Sequence, residues 1–297
     1  MRRIVIHACY LALYLLVKII SYVPFSILYI ISDLLYYFAY HIVRYRRKIV
    51  RCNLIESFPH KRMEEIREIE RNFYHFFVDM VLESCKLLSA TPNEMKHRMR
   101  FSNIEYANQI LDRGRSISLF LGHYGNWEWV SSMGVSLNEH AIKAQVYHKL
   151  RNESIDKLMR TMRSRFGHTS VEMHGTARFI NNVSADSRPC IIGFIADQSP
   201  RKREVRHFVH FLCHDVPVLT GTEKLTKHYD YEAVFLSMSR IKRGYYVCEL
   251  SSLHDNPKSL PDFELTKIYY KRLEDEIDVN PSLYLWTHNR FKHARKR

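Results

Sequence analysis

Apolar residues crowd the start of the chain. Residues 4–43 carry only two charges, Lys18 and Asp33, and the uncharged runs are 4–17, 19–32 and 34–43. None reaches the roughly 20 residues of an unambiguous transmembrane helix. Pro24 breaks the stretch in two, because proline ends a helix that reaches it. Further on, Ile66, Ile69, Phe73, Phe76, Phe77, Met80 and Val81 recur at helical spacing and predict a helix over 61–89. RSISLFL at 115–121 is short and apolar and ends at Gly122. It predicts a strand running into a loop. The stretch NWEWVSSMGVSL can open a helix with Asn126 as its N-cap. Further strands are predicted at 143–148, 189–196, 232–239 and 245–251, and helices near 153–166, 220–229 and 263–277. This alternation predicts the α/β class: a central, mostly β-sheet layer flanked by helices. Residues 1–43 form an N-terminal apolar helical anchor and 44–297 a second unit.

Charge sharpens this picture. The 297 residues include 45 Lys+Arg against 31 Asp+Glu, a formal net charge of +14. A hydrophobic fraction of 46% with 26% charged residues excludes a disordered or fibrous chain. Six scattered cysteines with no C-x-x-C pair argue against a disulfide framework or zinc ribbon. Arg2 and Arg3 precede the apolar stretch, and Arg44, Arg46, Arg47, Lys48 and Arg51 follow it. Both flanks therefore prefer the cytoplasm. A helix pair dipping into one leaflet satisfies that preference, and so does a helix lying in the headgroup plane. Eight of the nineteen tyrosines fall between Tyr10 and Tyr45, as suits a membrane–water boundary. The rival readings are a signal peptide and a buried helical hairpin. The stretch is long for a signal peptide and shows no convincing small-residue cleavage site. Basic clusters at 44–51, 96–100, 201–206 and 290–297 suit an anionic lipid surface. For nucleic acid there is no recognition motif, zinc finger or RNP signature.

One constellation could do chemistry. In Gly122-His123-Tyr124-Gly125-Asn126-Trp127-Glu128, His123 leaves the C-terminal end of a predicted strand, where open α/β sheets place ligand and catalytic groups. Glu128 would occupy the first helical turn, which favours a carboxylate. An anion beside an imidazole stabilises imidazolium, which a general base needs. H-x4-[DE] occurs four times, at His60/Glu65, His123/Glu128, His148/Glu153 and His210/Asp215, where composition alone gives about two. Only the second follows an apolar strand, and its alternative reading is a structural histidine in a turn. There is no P-loop, G-x-G-x-x-G, H-E-x-x-H or G-x-S-x-G. His207, His210, Cys213 and His214 are spaced like ligands, but a strand would send 207 and 210 to opposite faces. No metal is expected there. Asp197-Gln198 follows an apolar strand, and either touches the reacting centre or caps a loop.

The string LGHYGNWEW resembles the H-x4-D/E signature of the bacterial lipid A biosynthesis (late lauroyl/myristoyl) acyltransferases. The MRSRF run at 162–166, ADQ at 196–198, TGTEK at 220–224 and YLWTHNRFK at 284–292 match in family order. The resemblance implies an O-acyltransferase on the cytoplasmic face of the bacterial inner membrane. It would move a fatty acyl chain from acyl carrier protein, or sometimes coenzyme A, to a hydroxyl of a lipid A precursor. His123 would be the general base and Glu128 would hold its ring. Arg163 and Arg165 would serve the oxyanion or a substrate phosphate, with Asn126, Asp197 and Gln198 binding substrate. The expectation includes no metal, no cofactor, no acyl-enzyme and no nucleic acid. Acyl carrier protein, a lipid acceptor and an anionic membrane surface are the expected partners. The alternatives are another glycolipid, aminolipid or lysophospholipid as acceptor, or a non-catalytic lipid-binding adaptor.

Overall fold

The computed structural model describes residues 2–295. Its first half runs α1 (Arg2–Tyr22), α2 (Phe25–Tyr37), α3 (Arg47–Ser57), α4 (Met63–Cys85), α5 (Pro92–Arg98), β1 (Met99–Phe101), α6 (Ile104–Asp112), β2 (Ile117–Leu121) and β3 (Ile142–Tyr147). The second half runs α7 (Glu153–Arg163), β4 (Thr169–Glu172), α8 (Thr176–Ala185), β5 (Cys190–Ile195), β6 (His207–Phe211), β7 (His214–Val218), α9 (Gly221–His228), β8 (Glu232–Lys242), β9 (Tyr245–His254) and α10 (Glu264–Val279). Helix α2 continues through a π turn at Phe38–Ile42.

Seven strands form one sheet in the order β1-β9-β8-β2-β5-β3-β4. All neighbours pair parallel except β8 and β9, which form an antiparallel hairpin. The fold is thus the expected mixed α/β one, with a sheet flanked by helices and an apolar N-terminal helix as candidate anchor. Every residue of β2 is buried. That is why its sequence is an unbroken apolar run rather than an alternating one: helices cover both faces of a parallel sheet. The predicted strands at 115–121, 143–148, 189–196, 232–239 and 245–251 all appear, shifted by a few residues.

The differences have local causes. Strands β1 and β4 have three and four residues and carry Arg100 and Glu172, too short and polar for a pattern. Hairpin β6–β7 stands apart as a two-stranded sheet. The helix expected from Asn126 is a 3-10 helix, Trp129–Val135. Asn126 still uses its side-chain oxygen to accept the Trp129 N–H, at 3.3 Å. In α4, Val81 is exposed, while Glu70, Asp79 and Glu83 are buried. The buried face of α4 is wider than its apolar stripe because arginines, tyrosines and Asn126 satisfy those carboxylates.

The N-terminal helices lie along the rest of the molecule. Leu28, Ser32, Tyr36 and Tyr40, one residue per turn, are the buried side of α2 and its π turn. They meet α4, and α1 lies against α7. Of the basic cluster after them, Arg47 and Arg51 are paired with buried Glu70 at 2.9 and 2.7 Å.

Candidate active site

The site forms where β2 and β5 end together. Their register pairs Leu121 with Ile195, so the residues two positions beyond each strand, His123 and Asp197, emerge side by side. The Asp197 carboxylate accepts the His123 ring Nδ1–H at 2.7 Å and its backbone N–H at 3.3 Å. A ring that gives its Nδ1 proton to a carboxylate presents an Nε2 lone pair on its other side. There the Gln198 side-chain amide donates to Nε2 at 3.1 Å. Trp127 stands edge-on to the imidazole with ring centroids 5.2 Å apart.

The loop between them is shaped by close approach. A side chain at Gly122 would collide with Leu273, and one at Gly125 with Met238. Gly125 also has φ +60°, a left-handed conformation that costs other residues strain. The C-terminal segment clamps this loop: Leu285 donates its N–H to the His123 carbonyl at 3.1 Å, and Gly125 donates to the Leu283 carbonyl at 3.0 Å.

Glu128 takes a different partner. Arg163 grips it bidentately, with Nε–Oε2 at 2.8 Å and Nη2–Oε1 at 2.6 Å. The planar fork of guanidinium fits a carboxylate this way. Glu128 and Arg163 line the same cavity as His123, so the histidine and the glutamate share a site without sharing a hydrogen bond. The ring-holding place expected for Glu128 is occupied by Asp197, because strand register brings Asp197 to Nδ1. Burial pushes the Asp197 carboxyl up, but the His123 ring, its hydrogen bond and the Arg290 charge outweigh this and hold it below the ordinary carboxylate range. Burial likewise pushes Glu128 up, and the Arg163 charge and hydrogen bonds bring it below its ordinary value.

The cavity has a volume of about 520 Å³, within the usual span for small-molecule sites. Its walls are largely aliphatic, with Leu119, Leu121, Met133, Val146, Ile191 and Ile195 among them. At the open end stand exposed His148, Leu150, Ile155 and Arg201. An apolar channel with a base and an ion pair along it suits a long-chain substrate carrying one reactive polar group.

Two candidates lie apart from this cluster. Arg165 donates to the Leu87 and Ala90 carbonyls at 2.7 and 3.2 Å and so ties the chain after α7 to the end of α4. Asn126 donates to buried Glu83 at 2.8 Å and braces the loop from behind. Sequence reasoning gave no role to Arg290 within YLWTHNRFK. This buried arginine donates to the Tyr270 hydroxyl at 3.0 Å, and that hydroxyl donates to the Ala196 carbonyl at 2.8 Å, fixing the backbone just before Asp197. His288 accepts the Ser199 N–H at 3.2 Å, and burial pulls its ring down to about 4, so it stays neutral there.

Comparison with known proteins gives two results. No curated protein matches the chain at a significant level. The family model for the bacterial lipid A biosynthesis acyltransferases matches residues 2–293, nearly the whole chain, with the strand-end histidine, its carboxylate and the apolar cavity all inside the match, and the protein belongs to that family.

Proposed function

We propose that this protein moves a fatty acyl chain from an acyl carrier protein thioester to a hydroxyl of a lipid A precursor, at the cytoplasmic face of the inner membrane. The observation that carries the reading is the His123 imidazole, held at Nδ1 by buried Asp197 at 2.7 Å and lining an aliphatic cavity of about 520 Å³. Nε2 takes the proton of the acceptor hydroxyl once Gln198 yields its place. The oxygen attacks the thioester carbonyl carbon and forms the new C–O bond. The tetrahedral oxyanion collapses, the C–S bond breaks, and the departing thiolate recovers the proton from His123. Asp197 keeps the ring oriented and offsets the charge of the imidazolium. Glu128 holds Arg163 at the cavity wall, where its guanidinium offsets the negative charge that develops on the carbonyl oxygen. No acyl-enzyme is needed, because the acceptor attacks the thioester directly.

The test is purified protein given acyl carrier protein thioesters with a lipid A precursor, and in parallel with a lysophospholipid and an aminolipid. Esterification of the precursor is expected, with a loss of roughly 10²- to 10⁴-fold in His123→Ala. Transfer that ignores the His123 change, or that reaches only the other acceptors, overturns the reading.

A further inference from the structure

The two N-terminal helices are each long enough to cross a bilayer: α1 has 21 residues and the α2 helix spans 18, Phe25–Ile42, which at ~1.5 Å per residue is close to a hydrocarbon thickness. Length therefore does not decide whether they cross. Their attachment to the rest of the protein does. Along α1, the Ile6 carbonyl accepts from Ser154 at 3.0 Å, the Tyr10 and Thr161 hydroxyls meet at 3.4 Å, and the Ser21 carbonyl accepts from Lys86 at 2.6 Å. Both ends and the middle of α1 are thus bound to α7 and the end of α4. For α1 to cross, α7 would follow it into hydrocarbon with its Asp156, Lys157, Arg160 and Arg163. The midpoint of α2 is held just as firmly. Asp33 pairs with Arg243 at 2.6 Å, Ser32 donates to Asp79 at 2.6 Å, and Arg243 and Arg240 both reach Asp79. Arg240 and Arg243 belong to the β8–β9 hairpin of the sheet. A crossing α2 would place that charged hairpin at the bilayer centre, where charge is least tolerated.

The sides of these helices that face away from the protein are apolar. Leu15 and Ile19 of α1 are exposed, and so at helical spacing are Ile27, Ile31, Leu34 and Phe38 of α2 and its π turn, these four opposite the buried stripe of Leu28, Ser32, Tyr36 and Tyr40. Exposed Arg44 and Lys48 follow directly and complement anionic headgroups. At the other end, exposed Leu150 and Ile155 flank Ser154, the residue that holds Ile6, and both line the cavity. The cavity mouth therefore continues the apolar face.

From this juxtaposition we infer that α1 and α2 lie in the plane of a single anionic leaflet without crossing it, and that the cavity opens at the depth of the lipid glycerol and acyl boundary, so a lipid acceptor reaches His123 sideways from that leaflet. This rests on the membrane-bound part of the proposed function and adds its geometry.

The test is a depth profile on the full chain. Single nitroxides are attached through unnatural residues at Leu15, Ile19, Ile27, Ile31, Leu34 and Phe38, leaving the native cysteines in place. The protein is bound to vesicles of phosphatidylethanolamine and phosphatidylglycerol. All six positions are expected at one shallow depth, ~5–10 Å into the headgroup–acyl boundary. A gradient from Ile27 to Phe38 that passes through the bilayer centre overturns the inference, and so do nitroxides that stay in water. In a second measurement, the double variant Leu15→Asp, Leu34→Asp is expected to bind these vesicles at least tenfold more weakly with an unchanged melting temperature. Unchanged binding overturns the inference. Neither readout uses turnover, so an inactive protein with a flat depth profile refutes only the proposed chemistry, and an active one with a steep profile refutes only the in-plane attachment.

Discussion

Two clusters of buried charge in this protein are built from similar parts and do different things. In one, Asp197, 1% exposed, accepts from the His123 ring. In the other, Asp79, also 1% exposed, accepts from Ser32, Arg240 and Arg243. Both carboxylates are satisfied by hydrogen bonds, as buried charges must be. The first has a titratable partner whose far side borders an open cavity. The second has guanidinium partners that hold their protons at any ordinary pH, and it joins α2 to α4 and the β8–β9 hairpin. Burial of a carboxylate therefore does not mark a catalytic site by itself. A partner that can exchange a proton, and space for a substrate beside it, make the difference.

The strongest way to break this contrast is to remove each aspartate and ask which property falls. Asp79→Ala leaves two arginines without their shared counter-charge. A loss of about 3–5 kcal/mol in unfolding free energy is expected, read from urea denaturation in detergent, with turnover per folded molecule within about twofold of the parent. A stable variant, or a folded one that has lost turnover, would erase the distinction between the clusters.

A smaller effect separates the two carboxylates of the site. Asp197→Asn keeps the shape but lets an amide face Nδ1, which disturbs the tautomer and removes the charge opposite the imidazolium. Turnover should fall roughly 100-fold or more. Glu128→Gln also lowers turnover, since Arg163 loses its fork partner, but by less, because Glu128 shares no hydrogen bond with the ring. An equal loss of turnover in both variants would return the ring-holding role to Glu128.

How much of this was legible beforehand follows from range. His123 and Asp197 were each visible as polar residues directly after apolar strands, a local pattern. Their contact was not, because it depends on Leu121 aligning with Ile195 across 74 residues of sequence. The expectation that Glu128 holds the ring came from closeness in sequence, and the geometry favours closeness across strands. In the same way the apolar stripe of α4 announced a helix, but the burial of Glu70, Asp79 and Glu83 depends on arginines from α3 and from the β8–β9 hairpin and on tyrosines from α2 and β9. Arg165 lay in a motif with Arg163, yet two positions along the chain turned it from the cavity to the backbone of residues 87–90.

A half-buried carboxyl sharpens the comparison, because among the described residues it has no cation bonded to it, and it borders no cavity large enough for substrate. Glu276 of α10 accepts the Met238 backbone N–H at 2.9 Å and sits beside Gly122 and Tyr124, behind the His123 loop. Burial pushes it up to about 8, against the opposing pull of that N–H and of Arg272. Its folded value lies above the unfolded one near 4.5, so between those two limits the native state keeps a proton that the unfolded chain has released. Stability should therefore decline as pH rises through that window and level off above it. Glu276→Gln keeps an acceptor for Met238 and removes the titration. Its advantage should be near zero at pH 5 and about 2 kcal/mol at pH 9, after discounting for partial solvent contact. Urea midpoints of parent and variant at the two pH values measure it. An advantage of the same size at both would mean that Glu276 is held by packing rather than by charge, and that of Asp197, Asp79 and Glu276 only those with cationic partners respond to charge.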